Sequence, residues 1–348
     1  MRKILMILAV FLYLSPAYSQ IPAGYYDATY GLSGEPLRNA LHDIISNGFT
    51  SVSYSNLWTT YYQTDAKPNG KVWDMYSDIP GGTAPYEYTF GSDQCGTYNS
   101  EGDCYNREHS VPASWFNDNS PMYSDVFMVI PTDGWVNNKR GNDPFGEVGS
   151  ASWTSQNGSK TGSCNYPGYS GNVFEPIDSF KGDFARIYFY VAVRYKDEIP
   201  SWSGASFSGG NLSSWTENMM LEWHALDPVS DKERDRNNAV YNAQHNRNPF
   251  VDMPHWVYYI WSPTAGMDVA EIQPSLKTYP VPAKDKLNIE YNRDLILKEI
   301  RMYNVFGSLV CIFHDEKNID LSAFSNGVYS FSFVFDKAVE IRLITIQH

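Results

Sequence analysis

The most chemically capable stretch of the 348-residue chain is residues 106–112, in which Glu108 directly precedes His109. A carboxylate is a hard oxygen ligand for a divalent cation, and an imidazole titrates close to neutral pH, so the pair could hold a metal and move a proton. Neighbouring side chains on a regular strand point to opposite faces, so one substrate could meet both only if the chain bends here, which Pro112 allows. Taken alone, the pair would more often be a solvated surface Glu-His than a site.

A second polar cluster follows the apolar run 126–130, which predicts a short buried strand ended by Pro131. The two polar residues after Pro131 are types that cap a helix, and the turn that they would cap carries Asn137 and Arg140. A strand followed by a helix that presents an Asn near a Glu-His pair is typical of a ββα-metal nuclease site. The two clusters together therefore favour a site over solvated surface residues.

The first 19 residues predict a secretory signal peptide that is cut before Gln20. Two basic residues precede 11 apolar residues and a small-residue cleavage site. The apolar run is shorter than the roughly 20 residues that span a bilayer, and a retained anchor is the alternative interpretation. We expect the protein to be secreted or to lie on the cell surface.

Composition divides the rest of the chain. The sequence has 39 acidic and 26 basic residues, a net charge of −13, with 43% hydrophobic and 16% aromatic residues. Global disorder is excluded by this apolar content, and the acidic balance argues against binding nucleic acid by bulk charge alone. All ten tryptophans lie between Trp58 and Trp261, whereas residues 273–348 contain nine acidic and nine basic residues. We therefore predict a signal peptide (1–19), a first domain (20–265) and a C-terminal domain (273–348).

Four cysteines would enter an oxidising compartment after export. Cys95 and Cys104 enclose a short loop just ahead of the Glu-His pair and are expected to form a disulfide, although four cysteines allow three full pairings. Cys164 and Cys311 fall in different predicted domains and are expected to stay apart.

Helical patterns in the first domain cover residues 35–46, 180–195, 211–226 and 231–244. The second is apolar at nearly every turn and predicts a central buried helix. Ser230 and Glu233 have the spacing of a capping box, which predicts a helix start at Asp231. Residues 47–163 are expected to be mostly loop with short strands, and five alternating stretches after residue 286 predict a small all-β sandwich. The fold class is therefore α+β.

The C-terminal stretches YPVPAKDKLNIEY (279–291), IRMYNVFGSLV (300–310) and IDLSAFSNGVYSFSF (319–333) resemble the sorting domain of proteins exported by the type IX secretion system. That family opens on a Tyr-Pro-Asn-Pro motif, in which Val281 replaces the Asn. The resemblance implies the type IX export machinery as a partner. An ordinary accessory β-domain is the alternative.

The first domain resembles the endonuclease I family of nonspecific nucleases, which have a His-Me finger (ββα-metal) core among surrounding helices. The similar segments are REHSVPASWF (107–116), DVFMVIPTDGWVNNKRGN (125–142), GDFARIYFYVAVRY (182–195) and EWHALDPVSDKERDRNNAVYNAQHNRNPFVD (222–252). By position, the resemblance implies that His109 is the general base, Glu108 the acidic metal ligand and Asn137 the amide metal ligand.

Five further positions match the surroundings of the family's site and are expected to bind substrate or support the site. They are Arg107, Arg140, Gln244, Asn246 and Asn248. Two features depart from the family. Phe127-Met128 stands where many members have a His or Asn in the strand, and an arginine that assists the leaving group in some relatives has no clear counterpart.

The expected function is a secreted, Mg²⁺-dependent, nonspecific endonuclease acting on DNA, with RNA as a further substrate. His109 would deprotonate the attacking water, and a single Mg²⁺, for which Ca²⁺ or Mn²⁺ could substitute, would be held by Glu108 and Asn137. Contacts to the nucleic-acid backbone carry little sequence information. The alternative function is a cell-surface binding or adhesion protein that recognises carbohydrate through exposed aromatic residues.

Overall fold

The structure, a computed structural model, describes residues 21–22, 24–29, 31–262, 276–291, 297–304, 309–314, 317–335 and 339–348. The predicted signal peptide and the predicted domain boundary after residue 265 lie outside these residues. Side chains before residue 262 form one large hydrophobic core and a small satellite cluster, and side chains from residue 276 onward form a second large core. Within the described ranges no helix is both long and apolar enough to cross a membrane.

Eight α-helices are found in the described residues, and their buried faces build the first core. They are α1 Gly34–Ser46, α2 Leu57–Thr64, α3 Gly134–Arg140, α4 Asp178–Arg194, α5 Ser214–Leu226, α6 Asp231–Gln244, α7 Pro249–Asp252 and α8 Trp256–Trp261. Helix α4 is buried from Phe180 to Arg194 and contacts α1, α5 and α7. The prediction of a central buried helix is therefore confirmed.

Local signals set the ends of these helices. Ser230 Oγ accepts from Glu233 N at 3.1 Å and Glu233 Oε2 accepts from Ser230 N at 2.8 Å, so the predicted capping box at the start of α6 is confirmed. In α1, Leu37, Leu41 and Ile45 are buried on one face, as the periodicity predicts. Helix α5 begins at Ser214 rather than at Asn211, because Asn211 and Leu212 pair with residues 207–208 in a short hairpin.

Seven short strands are described in the first part of the chain. They are β1 Tyr105–His109, β2 Val129–Asp133, β3 Val148–Thr154, β4 Lys160–Cys164, β5 Asn172–Glu175, β6 Phe207–Ser208 and β7 Asn211–Leu212. They form three antiparallel sheets, ordered β1-β2, β3-β4-β5 and β6-β7.

The strand predicted over residues 126–130 has the wrong bounds. Strand β2 runs from Val129 to Asp133, and Pro131 lies inside it opposite Arg107. A proline has no N–H to give to a ladder, but it is tolerated where that position needs no ladder partner, as in this two-stranded sheet. Strand β2 therefore ends at Asp133, and α3 begins at the next residue, Gly134.

The C-terminal part consists of strands in two sheets around its own core, in agreement with the predicted all-β character. The strands are β8 Lys277–Tyr279, β9 Lys286–Glu290, β10 Leu297–Tyr303, β11 Leu309–Phe313, β12 Asn318–Asp320, β13 Gly327–Phe335 and β14 Val339–Ile346. Their orders are β11-β10-β13-β14 and β12-β9-β8. Ile300, Phe331 and Ile344 are among the buried side chains between them.

The predicted disulfide is present: Cys95 and Cys104 are bonded across a Cα–Cα distance of 5.8 Å, while Cys164 and Cys311 are free. The bond closes the loop that leads into β1, and Cys95 N donates to Tyr105 O at 3.1 Å.

Replacing both Cys95 and Cys104 by serine is expected to lower the free energy of unfolding by about 2–3 kcal/mol, because a closed loop of this length restricts the unfolded chain. Denaturant titration followed by tryptophan fluorescence measures this, since all the tryptophans lie in the first part of the chain. Cys164→Ser, at a free cysteine, is the control, and an equal loss there would contradict the assignment.

Candidate active site

The β1–β2–α3 unit positions the candidate site. Glu108 pairs with Ile130 and His109 with Val129 in the antiparallel ladder. Asp133 ends β2 and caps α3, with its Oδ1 accepting from Val136 N at 2.7 Å. Because α3 follows β2 without a loop, its first turn lies beside the start of β1, where Gly134 N donates to Cys104 O at 2.9 Å, and Arg140 in its last turn reaches the end of β1 at His109 O.

A cleft of about 300 Å³ opens beside this unit. Glu108, His109 and Asn137 all line it, so the structure brings together the three residues that the sequence singled out. The complete lining is Arg107, Glu108, His109, Pro112, Ala113, Ser114, Asp118, Asn137, Gly141 and Asn142.

His109 is oriented by a backbone carbonyl and by two aromatic rings. Its Nε2 lies 3.1 Å from the carbonyl oxygen of Tyr123. A carbonyl oxygen only accepts, so Nε2 carries the hydrogen and Nδ1 of the neutral ring is an acceptor. The imidazole stacks against Tyr123 and Tyr54, with ring centroids 5.0 and 5.8 Å away. Burial lowers the pKa of His109 to about 4, so the ring is neutral at neutral pH.

Glu108 is a buried carboxylate at the edge of the cleft, with 2% exposure. Its Oε1 accepts from the Tyr76 hydroxyl at 2.7 Å and is also ion-paired with Nη1 of Arg140. Burial raises the pKa of Glu108, while the Arg140 charge opposes that shift. Tyr76 and Arg140 therefore both donate to the same oxygen, Oε1.

Asn137 has its amide donor committed. Its Nδ2 donates to Asn106 Oδ1 at 2.8 Å and lies 3.5 Å from the carbonyl oxygen of Arg107, both on β1. The carbonyl oxygen of the Asn137 amide is therefore the atom that remains available as an acceptor or ligand in the cleft.

Arg107 supplies a positive charge to the cleft. Its guanidinium lies over the rings of Tyr54 and Trp58, 3.6 and 4.4 Å from their centroids, and donates to Tyr54 O at 2.9 Å. No carboxylate pairs with it among the described residues. A guanidinium held flat on aromatic rings keeps N–H groups for an anionic ligand.

Arg140 lies inside the protein rather than at a substrate surface, with 1% exposure. Besides Glu108, it donates to the carbonyl oxygens of His109 and Ser110, each at 2.7 Å, and of Asp143 at 3.1 Å. Arg140 is expected either to bind substrate or to support the site, and this geometry favours support of the site.

Gln244, Asn246 and Asn248 do not line the cleft, and the expectation that they could bind substrate is not supported by their positions. All three are buried. Gln244 Nε2 donates to Asp125 Oδ1 at 2.9 Å, and Asn246 Nδ2 donates to the Tyr190 hydroxyl oxygen at 2.8 Å. These amides are satisfied inside the protein; Asn248, for example, donates to Arg186 O at 3.0 Å and caps α7.

Two residues near the site carried no sequence signal. Tyr76 contacts Glu108 from a segment 32 positions earlier in the chain, and no local pattern marks it. Asp118 lines the cleft with a left-handed backbone, φ 56°, next to Asn117 at φ 55°. Two adjacent residues of this kind mark a constrained turn, which is common at functional sites. Among the described residues no group of three or more His, Cys, Asp or Glu side chains could hold a metal ion.

Comparison with known proteins matches both parts of the chain. Residues 33–255 match the family described as endonuclease I, and residues 277–347 match the secretion system C-terminal sorting domain.

Similar curated proteins are themselves named as nucleases. An extracellular ribonuclease of Bacillus subtilis is 34% identical over 252 residues, which is 68% of this chain and 78% of that protein. An extracellular ribonuclease of Bacillus amyloliquefaciens is 37% identical over 247 residues, with the same shares. An endonuclease-1 of Buchnera aphidicola is 26% identical over 129 residues, 37% of this chain and 44% of that protein.

Proposed function

Because the chain belongs to the endonuclease I family, and is therefore a nuclease that hydrolyses phosphodiester bonds, we propose that it is a Mg²⁺-dependent, nonspecific endonuclease of DNA and RNA. The C-terminal sorting domain makes it a type IX secretion product that is secreted or held on the cell surface. The names of the Bacillus relatives support RNA as a substrate, and that of the Buchnera relative supports endonucleolytic cleavage.

The observation that carries the mechanism is the meeting of Glu108, His109 and Asn137 on one cleft. Strands β1 and β2 followed directly by α3 support a ββα-metal core, in which β1 carries both Glu108 and His109 and the helix carries Asn137. We therefore assign residues 20–265 to a nuclease domain and residues 273–348 to the sorting domain.

The oxygen donors in the cleft suit a hard cation. Oε1 of Glu108 is occupied by Tyr76 and Arg140, which leaves Oε2 for a ligand role, and the committed Nδ2 of Asn137 leaves its Oδ1. Two protein oxygens with water completing the shell suit Mg²⁺ better than a cation that needs a full protein cage. When bound, Mg²⁺ would neutralise the charge that develops on the phosphate oxygens.

His109 would act as the general base through Nδ1. The Tyr123 carbonyl holds Nε2–H, and the lowered pKa keeps the ring unprotonated before reaction, so Nδ1 can take a proton from the attacking water. The water oxygen then bonds to phosphorus as the bond from phosphorus to the 3′-oxygen breaks, and the departing 3′-oxygen takes a proton from solvent water, which gives a 5′-phosphate and a 3′-hydroxyl.

Arg107 would bind the phosphate next to the reacting one or the reacting phosphate itself. Its fixed, unpaired guanidinium provides local attraction that the acidic body lacks, since residues 20–272 contain 30 acidic and 15 basic residues. Contacts to phosphate do not read sequence, which accounts for broad substrate use.

The alternative of carbohydrate adhesion through exposed aromatic residues has little support. All ten tryptophans lie in the described residues; five are buried and the other five half-buried. Many of them pack in the first hydrophobic core, such as Trp223 and Trp261. The tryptophan content is thus explained by the interior.

Metal removal tests the proposed function directly. The purified protein is expected to convert supercoiled plasmid and a structured RNA to short fragments in Mg²⁺, to stop in excess chelator and to recover when Mg²⁺ is restored. Asn137→Ala should raise the Mg²⁺ concentration needed for half-maximal cleavage by about 10-fold or more.

Asn138→Ala, at the exposed neighbouring position of α3, is the control for that shift. Cleavage that persists in chelator, or an equal shift in both variants, would contradict the proposed metal site.

A further inference from the structure

Tyr76 and Arg140 converge on one oxygen of Glu108 from opposite parts of the chain. We propose that they form a buried clamp, defined as Tyr76, Arg140 and Glu108, which turns Oε2 of Glu108 toward the cleft and fixes the spacing between Glu108 and Asn137. The two are positioning residues and touch neither substrate nor cation. The inference rests on the proposed function, because the orientation of Glu108 matters for metal binding only if Glu108 is a metal ligand.

The Tyr76 hydroxyl is held by packing. Tyr76 is completely buried, and its ring lies 4.8 Å from Phe174 and 6.0 Å from Phe184, measured between centroids. Its backbone N–H donates to Asp74 Oδ1 at 2.8 Å, so the segment itself is anchored. The hydroxyl therefore reaches Oε1 of Glu108 from a fixed point.

Arg140 joins α3 to the end of β1. The same guanidinium group that pairs with Glu108 donates to the carbonyl oxygens of His109 and Ser110. Asn137 lies one turn earlier on α3. One side chain thus sets where the helix that carries Asn137 meets the strand that carries Glu108 and His109.

Two donors on a single oxygen restrict the rotation of the carboxylate. With Oε1 held by both partners, the plane of the Glu108 carboxylate is fixed, and Oε2 has one direction available. Removal of groups that orient a metal ligand typically weakens metal binding by about 10- to 100-fold, although they never contact the metal.

Tyr195 provides a matched control for Tyr76. It is also completely buried, and its hydroxyl donates to a buried carboxylate at the same distance, 2.7 Å to Asp125 Oδ2. Asp125 does not line the cleft. Tyr76→Phe and Tyr195→Phe therefore make the same chemical change, and only the first removes a contact to Glu108.

The experiment is calorimetric titration of Mn²⁺ into the metal-free full chain, with thermal unfolding of each variant measured alongside. Tyr76→Phe is expected to bind Mn²⁺ about 10-fold more weakly than the parent, whereas Tyr195→Phe should bind as the parent does. Arg140→Lys, which keeps the charge but loses the fork of donors, should also weaken binding. Parent-like Mn²⁺ affinity in Tyr76→Phe, or an equal loss in Tyr195→Phe, would overturn the clamp.

Glu108→Gln separates this failure from that of the proposed function. If the parent protein binds no Mn²⁺, or if Glu108→Gln binds Mn²⁺ as well as the parent, the proposed metal site is wrong. The proposed clamp is then wrong too, because it has no metal ligand to position. If Glu108→Gln weakens binding while Tyr76→Phe does not, the metal site stands and the clamp alone is wrong.

Discussion

His109→Ala is expected to reduce the rate of plasmid cleavage about 100- to 10,000-fold, the range by which a positioned general base accelerates proton transfer. Nδ1 of the neutral ring is the acceptor in the cleft, because Nε2–H faces the Tyr123 carbonyl. The measurement is single-turnover cleavage of a labelled duplex at saturating Mg²⁺, which isolates the chemical step from substrate binding. Added imidazole should restore part of the rate, since the missing ring opens onto the cleft.

The fold should survive this change, because Tyr54 and Tyr123, which stack on the ring, keep their contact with each other at 4.4 Å between centroids. His245→Asn is the control: His245 is exposed at the end of α6 in a left-handed conformation that Asn tolerates. Undiminished cleavage by a folded His109→Ala protein would exclude His109 as the base.

Elements set by neighbouring residues could be predicted from the sequence. The capping box at Ser230, the buried stripe of α1 and the apolar run of α4 each depend on residues within a few turns, and all three are present. The disulfide between Cys95 and Cys104 likewise follows from a short loop. The two family resemblances are confirmed by the matches over residues 33–255 and 277–347.

Elements set by distant partners could not be predicted in the same way. The apolar run 126–130 indicates burial, but the pairing with β1 decides which residues form β2, and it moves the strand past Pro131. Gln244 and Asn246 match positions around the family's site, yet both are hydrogen-bonded in the interior, to Asp125 and Tyr190 respectively. Polarity in the sequence does not distinguish a group that meets substrate from one that is hydrogen-bonded in the interior.

Arg140 shows the same limit at the site itself. Its position one turn after Asn137 indicates a role near the cleft, but the direction of the side chain decides between substrate and scaffold. The structure directs it inward to Glu108 and to three carbonyl oxygens. That arrangement predicts that Arg140 matters first for stability.

Arg140→Met is expected to lower the free energy of unfolding by about 3–5 kcal/mol, because it leaves the Glu108 carboxylate buried without its partner charge. Urea titration followed by tryptophan fluorescence measures the loss. Lys139→Met is the control on the same helix: Lys139 is exposed, and its replacement should change stability by at most about 0.5 kcal/mol.

The double variant Arg140→Met, Glu108→Gln distinguishes charge burial from lost hydrogen bonds. If the buried carboxylate causes most of the loss, neutralising it should make the double variant more stable than Arg140→Met alone, while the carbonyl oxygens of His109 and Ser110 remain without their donor and prevent full recovery. Equal stability of the single and double variants would assign the whole loss to those carbonyl contacts. In that case Arg140 would act by holding the end of β1 rather than by holding the charge of Glu108.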